Sequence, residues 1–396
     1  MSSLSSGSVR ALDVAQNGSR VSPLEDTQTV FPARETTQLS GAAAARRATV
    51  RATVRASAAQ LRDYGRTLAP PGSSLAKCGH VLRAPSLQLR RGADGKCSLF
   101  GTVTCGSVWS CPVCAPRVQG ERANELRTLL EGARALPEPL SVTMLTLTVR
   151  HGLGHRCRET LQGVMLAWQK VQSGSGWKFW KTSLGIVGTV RATELTHGKS
   201  GWHPHLHVLL LSTSPSADVE AARAWISEKW RACVVRVLGR EHEPDDVHGC
   251  QLTLAHSTEY LAKMGLEVAY SAAKRSTGPS RSPWQILADA AEGDARSAEL
   301  WRDYVSATKG RRQLEWSRGL KRRFGIEDVS DEDTAMRAAR DESTEVVLEL
   351  SKSEWNALRR ANGVLRILEL AESGATPEAL RAEFLRAIQA HEHGAG

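Results

Sequence analysis

The sequence predicts an α+β fold: a central antiparallel β-sheet with flanking helices, a cysteine-rich module before it and a helical accessory region after it. Two observations carry this prediction. Runs of alternating apolar and polar side chains, the period of a strand, fall at 140–149, 185–197, 201–211 and 247–254, with helical periodicity between most of them in the order β, α, β, β, α, β, α. In addition, the second and third of these runs are joined by a short turn at 197–201 containing glycine, which sets them side by side as an antiparallel hairpin.

The chain has 396 residues, more than one hydrophobic core usually fills, so several structural units are expected. Its formal charge of +10 is unevenly placed. Residues 326–396 hold 8 Lys and Arg against 15 Asp and Glu, a balance of −7, which leaves +17 on the first 325 residues. Such an excess suits a polyanionic partner, because Lys and Arg gain affinity by displacing phosphate counterions. No apolar run of about 18 residues and no signal-like start argue for a membrane, so a cytoplasmic protein is expected.

Residues 1–57, rich in Ser, Ala, Arg and Thr, predict a disordered basic tail. The module at 58–136 holds five of the eight cysteines, Cys78, Cys97, Cys105, Cys111 and Cys114, within 37 residues. In a reducing compartment that clustering points to structural zinc. Cys111-Pro-Val-Cys114 lets a tight turn aim two thiolates at one tetrahedral ion, and the second pair comes from Cys78, Cys97, Cys105 or His80. An amphipathic helix over 117–135 follows, with Val118, Leu126, Leu129 and Leu130 as its apolar stripe.

The core at 137–275 opens with the alternating run 140–149, continues through a helix at 159–180, and reaches the hairpin. In its second strand, His203, His205 and His207 share one face while Leu206, Val208 and Leu210 share the other. Pro204 cannot donate to a ladder, which places it at the mouth of the strand and leaves His205 and His207 as the pair held within the sheet. Glu194 on the partner strand comes within a short reach of both. Two imidazoles and a carboxylate leave open positions on a divalent ion, which can polarise a phosphoryl oxygen. Tyr260 lies on a helix predicted at 257–264 and supplies a nucleophile, and Lys263, on the same helical face, steadies the phosphate or the phenolate.

After a Ser/Gly/Pro-rich linker and a helical stretch from 284 to 308, the extension at 276–325 ends in KGRRQLEWSRGLKRR (309–323). Arg311, Arg312, Arg318, Lys321, Arg322 and Arg323 are the expected phosphate contacts there, and Trp316 is expected to stack on a base. Residues 326–396 read as a separate acidic, helical unit with Leu358, Leu365, Leu368 and Leu370 as core candidates.

MLTLTV, HPHLHVLLL and EYLAK, in that order, resemble the three motifs of the HUH endonucleases, and specifically the rolling-circle replication initiators of small bacterial plasmids. TCGSVWSCPVC before the first motif and ATKGRRQLEWSRGL after the third are similar to the actinomycete branch of that family. The resemblance implies a nuclease that nicks one strand of the plasmid double-strand origin, stays joined to the 5′ phosphate through tyrosine, and later rejoins the displaced strand. It implies His205 and His207 as metal ligands with Glu194 as an acidic third, Tyr260 as nucleophile, Lys263 as the motif-three lysine, and Cys78, Cys105, Cys111 and Cys114 as zinc ligands. Mg²⁺ or Mn²⁺ would serve catalysis. Origin DNA, single-stranded DNA and a host helicase and polymerase are the implied partners. Many relatives place the tyrosine directly after the motif-three lysine, where this chain has Met264; Tyr260 lies one helical turn earlier, and Tyr270 is the runner-up nucleophile. A rolling-circle transposase and a non-catalytic zinc-dependent DNA-binding regulator are the alternative functions.

Overall fold

A computed structural model describes residues 58–93, 95, 97–213, 219–254, 280–341 and 345–394. All of them fall in one of the chain's two units, Arg46–Gly396. The N-terminal tail expected at 1–57 and the helix expected at 257–264, with Tyr260, Lys263 and Tyr270, lie outside the described residues.

The larger sheet has five strands in the order β6-β3-β5-β4-β7: β3 (Ser141–Leu147), β4 (Ile186–Gly198), β5 (Gly201–Ser212), β6 (Cys250–Leu254) and β7 (Leu314–Trp316). Every neighbouring pair is antiparallel. The β4–β5 ladder runs to Gly198 opposite Gly201, closing on a two-residue loop. Gly201 is required there: its φ is +89°, and a Cβ would come within 2.8 Å of the Gly152 carbonyl oxygen.

Alternation along the strands sorts side chains into two cores. Leu145, Leu147, Leu206, Val208 and Leu210 pack beneath α4 (Cys157–Ser173), α5 (Ser175–Ser183) and α6 (Val219–Leu238). Val142, Val190 and Leu211 face α3 (Cys114–Arg134), which follows α1 (58–68) and α2 (Ser74–Lys77), on the other side. The single helix expected over 159–180 is two, because Gly174 adopts an extended conformation (φ −88°, ψ 163°) that no helix can pass through. Farther along, Pro283–Ala291 and Ala295–Thr308 form helices, the first closed by a reciprocal Ser282–Gln285 capping box and the second by Asp294.

A second sheet, in the order β2-β1-β8, joins β1 (Ser86–Arg91) and β2 (Cys97–Phe100) to β8 (Glu345–Ser351). The acidic region 326–396 therefore carries a strand as well as helices, and it shares a core with the cysteine-rich module instead of standing apart from it. Leu87, Leu89 and Cys97 are buried against Leu350, Trp355, Ile367, Leu380 and Phe384. Of the expected core residues, Leu358 is buried and Leu368 and Leu370 pack around the cluster, while Leu365 is half-buried and does not belong to it.

Candidate functional site

The sheet brings the predicted ligands together through register. Thr146 on β3 and Ala192 on β4 flank His207, and Glu194 stands opposite His205. The Glu194 carboxylate reaches His207 Nε2 at 3.3 Å. On the far side of the ring, Nδ1 lies 3.2 Å from the Thr146 hydroxyl. With Nδ1–H donating to Thr146 Oγ1, the Nε2 lone pair is free for a cation, the arrangement in which a neighbouring oxygen fixes the tautomer of a metal-binding histidine. Thr146 was not singled out from sequence. It lies within the MLTLTV run, whose polar positions share the histidine face.

Four imidazoles line this face. The rings of His205 and His207 are parallel to within 7° at 6.0 Å, His203 meets His205 at 3.8 Å with its ring tilted by 44°, and His151 stacks on His203 at 4.1 Å. Burial pushes His205 down to about 4 and His203 down to about 3, so both rings are neutral near pH 7 and carry a lone pair. Pro204 does not lie at the mouth of the strand as expected: its ladder with β4 continues to Gly201. It lies instead beyond the reach of β3, whose last paired residue, Leu147, faces Leu206. His203 is therefore held on one side by β4 and on its open side by His151. A hard divalent ion suits the mixed imidazole and carboxylate donors of Glu194, His205 and His207.

The four cysteines implied by the resemblance converge. Cys78, Cys105, Cys111 and Cys114 place their sulfurs within 4.8 Å of one another. Cys78 is 3.8 Å from Cys111 and 3.7 Å from Cys114, and Cys105 is 3.8 Å from Cys114. A tetrahedron with zinc–sulfur bonds of about 2.3 Å has edges of about 3.8 Å, so this group fits a metal such as zinc. Hydrogen bonds from Cys105, Cys111 and Cys114 hold Cys78 far below the usual thiol range, whereas burial drives Cys111 far above it. Four sulfurs this close cannot all ionise without a cation among them. The other two candidates are elsewhere. Cys97 belongs to the β1–β8 core, and the His80 ring lies against the Arg359 guanidinium while its carbonyl accepts from Trp355 Nε1 at 2.9 Å.

The basic segment divides. Arg312, Arg318, Arg322 and Arg323 are exposed. Lys321 is not: it is 8% exposed, with its ammonium 3.1 Å from Glu125 and 3.5 Å from Asp328. Trp316 is half-buried in the sheet's second core, with Lys321 Nζ 5.4 Å from its ring centroid. Both were expected on DNA; in the fold Lys321 is held in ion pairs with Glu125 and Asp328, and Trp316 keeps only part of its ring open to solvent. Arg311 is tethered as well, donating through Nε to the Ala307 carbonyl at 2.8 Å.

A family model described as "Replication protein" matches residues 96–361. The chain is similar to "Protein rep" of Streptomyces lividans, 25% identical over 343 residues, covering 68% of this chain and 75% of that protein. It is also similar to "Protein rep" of Lentilactobacillus hilgardii, 25% identical over 229 residues, 57% of this chain and 69% of that one. A "Neomycin resistance protein" of Streptomyces cyanogenus is 29% identical over 146 residues, 31% of this chain and 33% of its own. No solved structure matches. Among the described residues no helix is long and apolar enough to cross a membrane.

Proposed function

Because the chain belongs to the replication protein family, we propose that it initiates plasmid replication by nicking one strand of origin DNA through a tyrosine nucleophile beside a divalent metal. The observation that carries this reading is the Glu194–His207 contact at 3.3 Å, opposite His205 in the ladder, on the face where a phosphodiester could approach. Glu194, His205 and His207 would hold Mg²⁺ or Mn²⁺, which supplies polarisation of a non-bridging phosphoryl oxygen. Thr146 keeps His207 in the tautomer that presents Nε2. Tyr260 attacks phosphorus through its phenolate oxygen; the P–O3′ bond breaks, the 3′ oxygen leaves as a hydroxyl that can prime synthesis, and the 5′ phosphate stays on the tyrosine. Lys263 stabilises the phenolate. The returning 3′-hydroxyl reverses the transfer and rejoins the displaced strand. Cys78, Cys105, Cys111 and Cys114 would hold structural zinc.

The test is incubation of the protein with single-stranded origin oligonucleotides and Mg²⁺ or Mn²⁺. A covalent protein–DNA adduct with the fragment on the 3′ side of the nick, joined through its 5′ phosphate, is expected, absent in Tyr260→Phe. No adduct with any divalent ion would leave a DNA-binding regulator as the reading, and an adduct in Tyr260→Phe would move the nucleophile, with Tyr270 next in line.

A further inference from the structure

A basic and aromatic face at the opposite end of the β4–β5 hairpin takes no part in the proposed nuclease. From Thr160 to Thr193 the sequence contains no Asp or Glu. In the middle of this stretch lies α5, SGWKFWKTS, fixed from beneath by the buried Trp177, whose ring meets Trp168 edge-on at 5.4 Å. Close packing against α6 leaves no room for a side chain at Gly176, where a Cβ would lie 2.4 Å from Trp225. On its outer side Lys178, Lys181 and Thr182 are exposed, and Phe179 is 61% exposed, braced edge-on by Trp180 at 5.2 Å. A helix places residues i, i+3 and i+4 on one face, so the two lysines and Thr182 line up, with Phe179 at their rim.

That face opens on a shallow cavity of about 570 Å³ lined by Lys178, Lys181, Thr182, Thr213, Ile186 and Val187, and among the described residues no carboxylate lines it. The basic segment arrives at the same place. Thr189 donates to Ser317 Oγ at 2.9 Å and accepts from the Ser317 N–H at 2.8 Å, which sets the exposed Arg318 beside this end of β4.

We infer that Phe179, Lys178 and Lys181, continued by Arg318, form a track for single-stranded DNA, with the Phe179 ring stacking on a base and the lysines on its phosphates. This rests on the reading of the chain as an origin-DNA enzyme. A rigidly supported, solvent-facing aromatic among cations of one sign is the arrangement that binds single strands without reading sequence. A protein-docking face would instead be depleted of lysine. Ile186 precedes Glu194 by eight residues, roughly 26 Å of strand, and α5 packs on the face opposite the histidines. The track therefore holds strand away from the bond being cut.

The test measures binding of the full chain to a fluorescent single-stranded oligonucleotide of about 30 nucleotides across a salt series. Phe179→Ala is expected to weaken binding about 5- to 100-fold, with Phe179→Trp restoring it. Lys178→Ala with Lys181→Ala should reduce the slope of log K against log salt by about 1.4. Both variants should still form the tyrosine adduct on a short oligonucleotide spanning the nick. Wild-type binding by the double lysine variant, whose changes are fully exposed, overturns the track. So does unaltered DNA binding with a changed oligomeric mass on gel filtration, which would assign the face to protein contact. Loss of the adduct in the unmodified chain with these binding effects intact would instead remove the nuclease reading and leave the track.

Discussion

Glu194 faces His205 across the β4–β5 ladder, yet its carboxylate touches His207, two residues further along that strand. Diagonal neighbours on one face of an antiparallel pair are within reach of long side chains, so the carboxylate passes its direct partner in the ladder to meet the next imidazole. Thr146 completes the arrangement from the other side of His207. Replacing Thr146 with Val keeps the shape of the side chain and removes the partner of Nδ1. Divalent-ion affinity, read from the metal dependence of adduct formation, should fall about 10- to 100-fold, with little change in thermal stability.

The cysteine cluster should behave as a folding element. Metal analysis of purified protein is expected to find about one tightly held zinc per chain. Cys111→Ser should lose it and unfold at lower temperature, because structural zinc contributes about 10–16 kcal/mol of apparent binding free energy. Cys97→Ser should retain the zinc, since Cys97 lies in the β1–β8 core. Zinc loss in both variants alike would count against the assignment.

Within the basic segment, burial separates stability from DNA affinity. Lys321→Ala leaves the largely buried Glu125 carboxylate short of a partner, although Arg122 still holds it. A loss of about 1–3 kcal/mol in denaturant unfolding is expected. Arg322→Ala, at an exposed position, should leave unfolding unchanged within about 0.5 kcal/mol and weaken DNA binding uniformly across sequences.

Acid should destabilise the fold through histidines that burial keeps neutral, with His242 contributing beside His203 and His205. His242 is 6% exposed, donates from Nδ1 to the Arg150 carbonyl at 3.0 Å and lies tilted against the His155 ring at 4.0 Å. Burial, and then His155, hold its pKa below the ordinary histidine value. The unfolded chain therefore takes up a proton first as pH falls below about 6.5. Stability from this group is fully present above that pH and is lost below it. The melting temperature should decline from pH 7 to 5, and His242→Gln should flatten the decline; an equally steep slope in the variant would place the acid-sensitive group elsewhere.

Most of the sheet was legible because its strands alternate cleanly, and the short hairpin turn alone implies that Glu194 comes near His205 and His207. Four of the five clustered cysteines were likewise separable once spacing and resemblance were combined. Lys321 was not legible: in a run of seven cations it looks like its neighbours, and what distinguishes it is Glu125, nearly two hundred residues earlier. Strand β8 was missed for a related reason. Seven residues of alternation inside a Leu-rich acidic stretch are outweighed by helical periodicity on one side, and the partner that makes them a strand, β1, is remote. Thr146 needed the register of β3 against β5, which spacing along one strand does not contain.

That remote pairing bears on how the chain is made. Leu87 meets Leu350 across a separation of more than 260 residues, so the β1–β2 pair waits for a far later segment before its edge is covered. Contacts of such long range form late in folding, and until β8 arrives β1 presents a row of open backbone groups that invites another chain. A fragment ending at the basic segment would keep every proposed catalytic and zinc-binding residue and still be prone to aggregate, its missing part being a strand for the opposite end of the polypeptide.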